Sequence, residues 1–354
     1  MKALIAILAA LILILAGCSG QQNQNEGAAS PPQPATESPS APAQQPPVPP
    51  QQPASPPAQP QQTLKGVSLS PKSFQGQDFT DFFSKAKEAG SIVTWAGDWN
   101  ELGSDGGPKV VAELSKTYGY EPLIQAQFFT QSSGKLLKPL DAATKESYKQ
   151  SIASFAAKYK PKYIGIGIEV NMLYEKSPAG FDEFVSFYSE VYDAVKKASP
   201  STKVFTIFQL ERMKGLHGGL FGGKNDDAQA EWQLLEKFPN SDIAAFTTYP
   251  GLIYKSPSEI PSDYYTEIRS RTSKPIAFTE IGWHSAASPV GWESSEQEQG
   301  EFVEVFFSRS STLSSEFAIW SFLYDPQTVE PFNSMGLISA EGKERLAFEK
   351  WKDS

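Results

Sequence analysis

Two segments of this sequence decide the fold that it predicts: residues 163–169 read YIGIGIE and residues 275–280 read PIAFTE. Each segment is apolar until it ends on a glutamate, and each glutamate opens a loop. Segments that are apolar throughout, without alternation, are typical of strands buried on both faces of a parallel sheet. Because the carboxyl ends of such strands share one side of an α/β fold, we expect Glu169 and Glu280 to meet there.

Six further segments have the same character, and segments with helical periodicity separate them. In one helical segment, Phe181, Phe184, Tyr188 and Val195 repeat on a single face. The other predicted strands are 66–69, 91–95, 121–127, 203–208, 243–249 and 317–322, and the predicted helices are 141–158, 181–195, 226–238, 294–313 and 342–352.

Eight strand–helix units in residues 63–354 predict a (β/α)8 TIM barrel that forms a single domain. An open, doubly wound sheet is the alternative architecture. That architecture usually places a glycine-rich, phosphate-binding turn after its first strand. Residues 68–72 read SLSPK and contain no such turn, so the sequence favours the barrel.

The N-terminal part of the chain is expected to lie outside the barrel. Residues 1–17, with Lys2 and an apolar run at 3–15, precede Cys18 in a pattern that resembles the signal peptide and lipidation site of prokaryotic lipoproteins. Residues 18–62 consist largely of Gln, Pro, Ala and Ser and cannot bury enough apolar surface to fold. We therefore expect an exported protein whose lipidated Cys18 anchors it to the membrane through a disordered tether, with the barrel outside the cytoplasm.

Composition restricts the partners and cofactors. The formal net charge of −9 argues against nucleic acid, which requires a basic surface, and also against a strongly anionic substrate. Cys18 is the only cysteine, so the barrel has no disulfide and no thiolate zinc site, and two histidines leave little for another zinc site. We expect no metal, no organic cofactor and a monomer.

The ends of the predicted strands supply carboxylates, amides and aromatic rings to one cleft. Carboxylates and amides form hydrogen bonds with hydroxyl groups, while flat rings pack against the apolar face of a pyranose. This combination suits a neutral polyhydroxylated ligand. The predicted ligand-binding residues are Trp95, Asp98, Trp99, Gln127, Asn171, Gln209, Tyr249, Trp283, His284 and Trp320.

The same strand ends resemble those of the clan-A retaining glycoside hydrolases. The sequence FTEIGW at 278–283 resembles their strand-7 nucleophile motif, and Glu169 resembles their strand-4 acid/base. Tyr249 matches the strand-6 tyrosine that bonds the nucleophile, and Trp320 matches the strand-8 aromatic that forms the floor of the subsite beside the scissile bond. The resemblance implies a double displacement with Glu280 as nucleophile and Glu169 as acid/base, their carboxyl groups about 5–5.5 Å apart.

One position departs from the pattern of that clan. An asparagine usually precedes the acid/base there and bonds the substrate 2-hydroxyl, whereas this sequence has Ile168. Asn171, the nearest amide, follows Glu169 by two positions. Glu211, after the fifth strand, is the rival for the role of acid.

These features predict a retaining β-glycoside hydrolase that acts on a neutral polysaccharide or oligosaccharide at the cell surface. An aromatic-rimmed cleft favours endo action, and β-mannan, β-galactan and β-glucan all remain open as substrates. Ile168 favours the alternative of a catalytically inactive barrel that binds surface glycans. A solute-binding lipoprotein is disfavoured because its two lobes would interrupt the continuous run of strand–helix units.

Overall fold

The computed structural model of the protein describes residues 62–354. The expected signal peptide at 1–17, Cys18 and the expected tether up to residue 61 lie outside these residues. The described part of the chain alternates strands and helices, as the sequence predicts. Its main strands are β1 Leu64–Ser68, β2 Ile92–Asp98, β3 Glu121–Gln127, β4 Tyr163–Ile166, β5 in two pieces (Lys203–Phe205 and Ile207–Gln209), β6 Ala244–Thr248, β7 Ile276–Ile281 and β8 Phe317–Trp320.

These strands form one parallel sheet that curves into a barrel. Neighbouring strands along the chain pair with each other, and β1 pairs with β8. The first piece of β5 pairs with β4, and the second piece pairs with β6. Because only Thr206 separates the two pieces, β5 joins the two edges of the sheet and completes the ring. The predicted (β/α)8 barrel is confirmed.

Helices follow the strands and cover the outside of the sheet. Within residues 62–354 they are α1 Gly76–Ala89, α2 Gly107–Tyr118, α3 Ala142–Tyr159, α4 Val170–Lys176, α5 Pro178–Ala198, α6 Leu210–Met213, α7 Glu267–Arg271, α8 Glu296–Ser310 and α9 Leu346–Asp353. None of these helices is long and apolar enough to cross a lipid bilayer.

The predicted helix at 226–238 is wrong. This segment forms two separate 3-10 turns, Asp227–Gln229 and Trp232–Lys237, with Ala230 in an extended conformation between them. The backbone N–H of Glu231 donates to the carbonyl of Met213 on α6, not to a carbonyl of its own segment. This long-range bond interrupts the ladder that an α-helix would need.

Two apolar layers hold the barrel together, one inside the ring of strands and one between the strands and the helices. On β8, Phe317 and Ile319 belong to the inner layer, whereas Ala318 and Trp320 belong to the outer layer. Successive side chains of a strand point to opposite faces. Since both faces are buried, both layers are apolar, and the alternation is absent from the sequence.

Candidate active site

A strained turn at the end of β4 carries Glu169. The sequence predicts a strand up to residue 169, but β4 ends at Ile166 because Gly167 and Glu169 both have positive φ, 77° and 58°. The side chain of Ile168, between them, packs in the inner layer of the barrel and is fully buried. A glutamate in the left-handed region is uncommon, and such a conformation persists only where neighbouring groups hold it.

Gln127, the last residue of β3, holds this turn. Its side-chain Nε2 donates to the carbonyl of Ile168 at 3.1 Å, and its Oε1 accepts from the N–H of Ile168 at 3.3 Å. Its Oε1 also accepts from the N–H of Phe128 at 3.0 Å. Gln127 is buried and both ends of its amide are engaged by backbone, so its prediction as a ligand-binding residue is wrong. It is a positioning residue for Glu169.

Replacing Gln127 by leucine is expected to destabilise the fold and lower activity, because three buried backbone groups lose their partner at about 1–3 kcal/mol each. Gln125, on the same strand, is a matched control, since its buried amide has no hydrogen-bond partner among residues 62–354. The Gln125→Leu variant should be as stable as the wild type or more so. Urea unfolding and kcat of both variants test this, and equal losses in the two would contradict the role given to Gln127.

Glu169 is almost enclosed at the mouth of the barrel, with 5% of its surface exposed. The hydroxyl of Thr247, on β6, donates to its Oε1 at 2.7 Å. Burial raises the pKa of Glu169 to about 8, and the nearby charge of Glu280 adds to this increase. The protonated form of Glu169 is therefore favoured near neutral pH.

Glu280, on β7, is partly exposed at the same end of the barrel. The hydroxyl of Tyr249 donates to its Oε2 at 2.6 Å. Ser321, directly after β8, places its hydroxyl 2.8 Å from that of Tyr249 and 3.0 Å from the carbonyl of Ile281. Burial raises the pKa of Glu280 to about 7, while the bond from Tyr249 acts in the opposite direction because it favours the ionised form.

Strand β6 lies between the two glutamates and supplies a hydrogen bond to each. Thr247 is the register partner of Glu280 on β7, yet its hydroxyl bonds Glu169. Two residues later, Tyr249 bonds Glu280. The structure therefore brings the two glutamates close together at the carboxyl end of the barrel strands, where burial raises the pKa of both, that of Glu169 to about 8 and that of Glu280 to about 7.

Trp320 and Trp283 do not reach this site. Trp320 points to the outer layer, where its Nε1 donates to the carbonyl of Met335 at 2.7 Å and its ring packs against Trp351 of α9. Trp283 is fully buried, stacks on Phe302 of α8 and donates its Nε1–H to another side chain. Both are core residues that hold helices to the sheet, so their prediction as ligand-binding residues is wrong.

Trp95 and Trp99 are also core residues. Trp95 points outward from β2 and lies against Gly107 at the start of α2. Trp99 packs on Tyr148 of α3 with ring centres 4.8 Å apart. Both side chains are almost completely buried, and their prediction as ligand-binding residues is wrong for the same reason.

The polar residues predicted to bind a ligand either cap a helical turn or make buried hydrogen bonds. Asp98 caps the 3-10 turn after β2 by accepting from the N–H of Asn100 at 2.9 Å. Asn171 is fully buried and bonds the backbone of Gln209 in both directions, and the Oε1 of Gln209 caps α6. These contacts tie α4 to the end of β5. Asn171 thus has no exposed amide to replace the one missing at position 168, and the prediction of ligand contact is wrong for Asn171 and Gln209.

His284 is fully buried. Its Nε2 lies 2.8 Å from the carbonyl of Trp292, and burial lowers its pKa, so the neutral imidazole with a proton on Nε2 is the expected form. With no exposed surface, His284 has no access to a ligand in the cleft, and its prediction as a ligand-binding residue is wrong.

Several site residues were not predicted from the sequence. Thr247 and Ser321 are polar residues where apolar strands end, a signal that the sequence does contain. Phe332 packs edge-on against Tyr249 with ring centres 5.3 Å apart, and its position in a 3-10 turn well after the end of β8 gives no signal. The apolar cluster beside Glu280 consists of Tyr249, Leu252, Phe322, Phe332 and Met335.

Comparison with known proteins shows the fold. No family model and no curated protein matches the sequence. Solved structures do match it. One is a family 39 glycoside hydrolase from Bacteroides cellulosilyticus WH2, which is 15% identical in sequence and has a TM-score of 0.58. The match covers 83% of this chain and 63% of that one. These similarities show the fold of this chain, a (β/α)8 barrel like that of the family 39 glycoside hydrolase.

Two further similar structures carry different activities. The exo-β-1,4-mannosidase Op5Man5 from Opitutaceae bacterium strain TAV5 has 14% identity and a TM-score of 0.59, with coverage of 82% of this chain and 58% of that one. A β-D-glucuronidase of Dictyoglomus thermophilum has 14% identity and a TM-score of 0.57, with coverage of 82% and 50%. This chain spans less than two thirds of the length of each of the three proteins.

Proposed function

We propose that this protein is a retaining β-glycoside hydrolase that acts on a neutral glycan. The arrangement of Glu169 and Glu280 carries the proposal. The two carboxyl groups lie at the same end of the barrel, one after β4 and one on β7, and each accepts a hydrogen bond from a residue at the end of β6, Thr247 or Tyr249. Burial raises the pKa of both groups, and that of Glu169 more. This is the machinery that double displacement at a glycosidic bond requires.

In the proposed reaction, ionised Glu280 attacks the anomeric carbon and the bond from that carbon to the leaving oxygen breaks. Glu169 donates its proton to the leaving oxygen, which departs as an alcohol. Glu169, now ionised, takes a proton from water, whose oxygen attacks the anomeric carbon and displaces Glu280. Glu169 ends protonated and Glu280 ionised, so both residues return to their starting forms.

The pH dependence of kcat/KM should be bell-shaped. Activity rises as Glu280 ionises and falls as Glu169 loses its proton, so we expect limbs at the apparent pKa values of the pair, about 7 and about 8. Initial rates on an aryl β-glycoside over a pH series measure both limbs. A profile that continues to rise above the pKa of Glu169 would contradict its role as acid.

The charges of the protein support a neutral substrate. The formal net charge is −9, and Arg212, which lies after β5 and close enough to act on Glu169, pairs with Glu175 at 2.6 Å. This pairing opposes the use of Arg212 to bind a uronic acid carboxylate. Hydrolysis rates on matched aryl β-glucosides and β-glucuronides test this, and faster cleavage of the glucuronide would overturn it.

The basis for endo action is weaker than the sequence suggests. That expectation rests on aromatic residues around the cleft, but Trp95, Trp99, Trp283 and Trp320 are buried in the core. Sizing of the products released from β-mannan, β-galactan and β-glucan distinguishes endo from exo action and identifies the polymer.

The proposed location, anchored outside the cytoplasm by lipid on Cys18, is tested by cell fractionation.

A glycan-binding barrel without catalysis is the second candidate function. The fully buried Ile168 favours it, because this position offers no hydrogen bond to a substrate 2-hydroxyl. One measurement on the purified protein distinguishes the two candidate functions. A hydrolase releases reducing sugar from its glycan, whereas a binding protein retains the glycan in calorimetry and releases none.

A further inference from the structure

We propose that Glu211 is a positioning residue that holds the end of β6, so that Tyr249 and Thr247 reach the two catalytic glutamates. This inference rests on the proposed function. Glu211 is the second residue of α6, directly after β5, and is fully buried. From the sequence, Glu211 is the alternative to Glu169 as the acid, whereas its hydrogen bonds in the structure indicate a positioning role.

Three donors converge on one oxygen of Glu211. Its Oε1 accepts from the hydroxyl of Thr248 at 2.7 Å, from the backbone N–H of Tyr249 at 2.9 Å and from the hydroxyl of Tyr264 at 2.7 Å. Hydrogen bonds to a carboxylate are shorter and stronger than those between neutral groups. Two of the three come from consecutive residues at the point where β6 ends, and so they fix the backbone there.

That short piece of backbone serves both catalytic groups. Thr247, immediately before the bonded residues, donates to Glu169, and the side chain of Tyr249 donates to Glu280. A shift of the strand end by a fraction of an ångström lengthens both bonds at once. Glu211 therefore acts on the reaction through β6 and not by contact with substrate.

Glu211 is poorly suited to serve as the acid itself. It has no exposed surface, and its neighbours Tyr264 and Tyr265 are also fully buried. Its Oε1 is already engaged by three donors, and its Oε2 has no hydrogen-bond partner among residues 62–354. Burial raises the pKa of Glu211, and its hydrogen bonds from Thr248 and Tyr264 oppose this.

The test compares Glu211→Leu, which removes every acceptor, with Glu211→Gln, which keeps an acceptor at Oε1. We expect Glu211→Leu to lower kcat about 10- to 100-fold with little change in KM, and to shift the acid limb of the pH profile upward, because Glu280 loses its bond from Tyr249. Glu211→Gln should retain most of the activity. Tyr264→Phe, which leaves both bonds to β6 intact, is the matched control and should change kcat little.

A double-variant cycle separates positioning from general damage. If Glu211 acts through Tyr249, Glu211→Leu combined with Tyr249→Phe should be no slower than the slower single variant, because both remove the same bond to Glu280. The inference is overturned if the effects of the two substitutions on kcat multiply and the acid limb of the pH profile of Glu211→Leu lies where it does in the wild type. Rates are taken below the unfolding temperature of each variant, so that a loss of stability is not counted as a loss of positioning.

A readout without substrate keeps this inference separate from the proposed function. Carbon-13 NMR of protein labelled at the glutamate carboxyl carbon reports the pKa of Glu280, assigned by the signal that Glu280→Gln removes. Glu211→Leu should raise this pKa, and Glu211→Gln should raise it less. If the wild type hydrolyses nothing, the proposed function fails while this titration still decides the inference; a pKa that is the same in the wild type and Glu211→Leu overturns it.

Discussion

Replacing Glu280 by glutamine should lower kcat by roughly 10⁴-fold or more, as expected for loss of a nucleophile that acts as a unit with its acid/base. The amide keeps the length of the side chain and can still accept the hydrogen bond from Tyr249, so the fold has no reason to change. It lacks the charge needed to attack the anomeric carbon. Steady-state kinetics on an aryl β-glycoside measure the loss.

A shorter variant and a matched control strengthen this test. Glu280→Ala leaves space for azide, which should restore turnover and give a glycosyl azide of inverted configuration, because one displacement replaces two. Glu231→Gln, at another buried glutamate, is the control, since the side chain of Glu231 bonds Asn171 and makes no hydrogen bond with Glu169 or Glu280 among residues 62–354. It should keep most of the activity. Turnover in Glu280→Gln within tenfold of the wild type would remove Glu280 from the mechanism.

Glu280→Gln is also expected to change the stability of the fold, in a direction that depends on pH. A carboxyl group whose folded pKa is raised opposes folding when it is ionised, so its cost is absent below its ordinary pKa of 4.5 and grows as the pH rises to about 7. The variant should therefore gain stability over the wild type at neutral pH and gain little near pH 4.5. This pattern would show that its lost activity does not come from a lost fold.

The barrel and its two glutamates were predictable because both depend on local sequence. Strands buried on both faces are apolar along their whole length, and an acid that ends such a strand stands out, as Glu169 and Glu280 do. Parallel strands direct their carboxyl ends to one side, so the meeting of distant residues follows from topology alone.

The direction of the side chains within these strands was not predictable. Period-two alternation shows which residues face inward only when one face is polar. On β8 both Ile319 and Trp320 are apolar, and only the structure shows that the first faces the barrel interior and the second faces the helices. This ambiguity accounts for the wrong prediction at Trp320, and the same reasoning applies to Trp95 on β2.

The contacts that tune the site were unpredictable for another reason. The hydrogen bond from Thr247 to Glu169 depends on the register between strands, and the contact of Gln127 with the turn at Ile168 depends on the positive φ of Glu169. Neither register nor a non-glycine residue in the left-handed region can be inferred from composition or periodicity. Burial and neighbouring charges, which set the difference in pKa between the two glutamates, depend on these contacts.

Replacing Glu169 by glutamine is expected to give a loss that depends on the leaving group. For a glycan or an alkyl glycoside, whose leaving oxygen must be protonated, we expect kcat/KM to fall by about 10²–10⁴-fold. For a 2,4-dinitrophenyl glycoside, whose leaving group departs without a proton, kcat/KM should change little. The wild type and Glu280→Gln, compared on the same two substrates, provide the reference.

Two further results are expected for Glu169→Gln, because Glu169 also acts in the second half of the reaction. Glu169 must also take a proton from water, so the glycosyl-enzyme formed on Glu280 should accumulate and be visible by intact-protein mass spectrometry. Azide, which attacks without losing a proton, should relieve this step and give a glycosyl azide of retained configuration. An equal loss on both substrates, or a product of inverted configuration, would assign the acid/base role to another residue. The opposite stereochemistry of the azide products from Glu169→Gln and Glu280→Ala thus distinguishes the two roles, because the first variant keeps the nucleophile and the second has lost it.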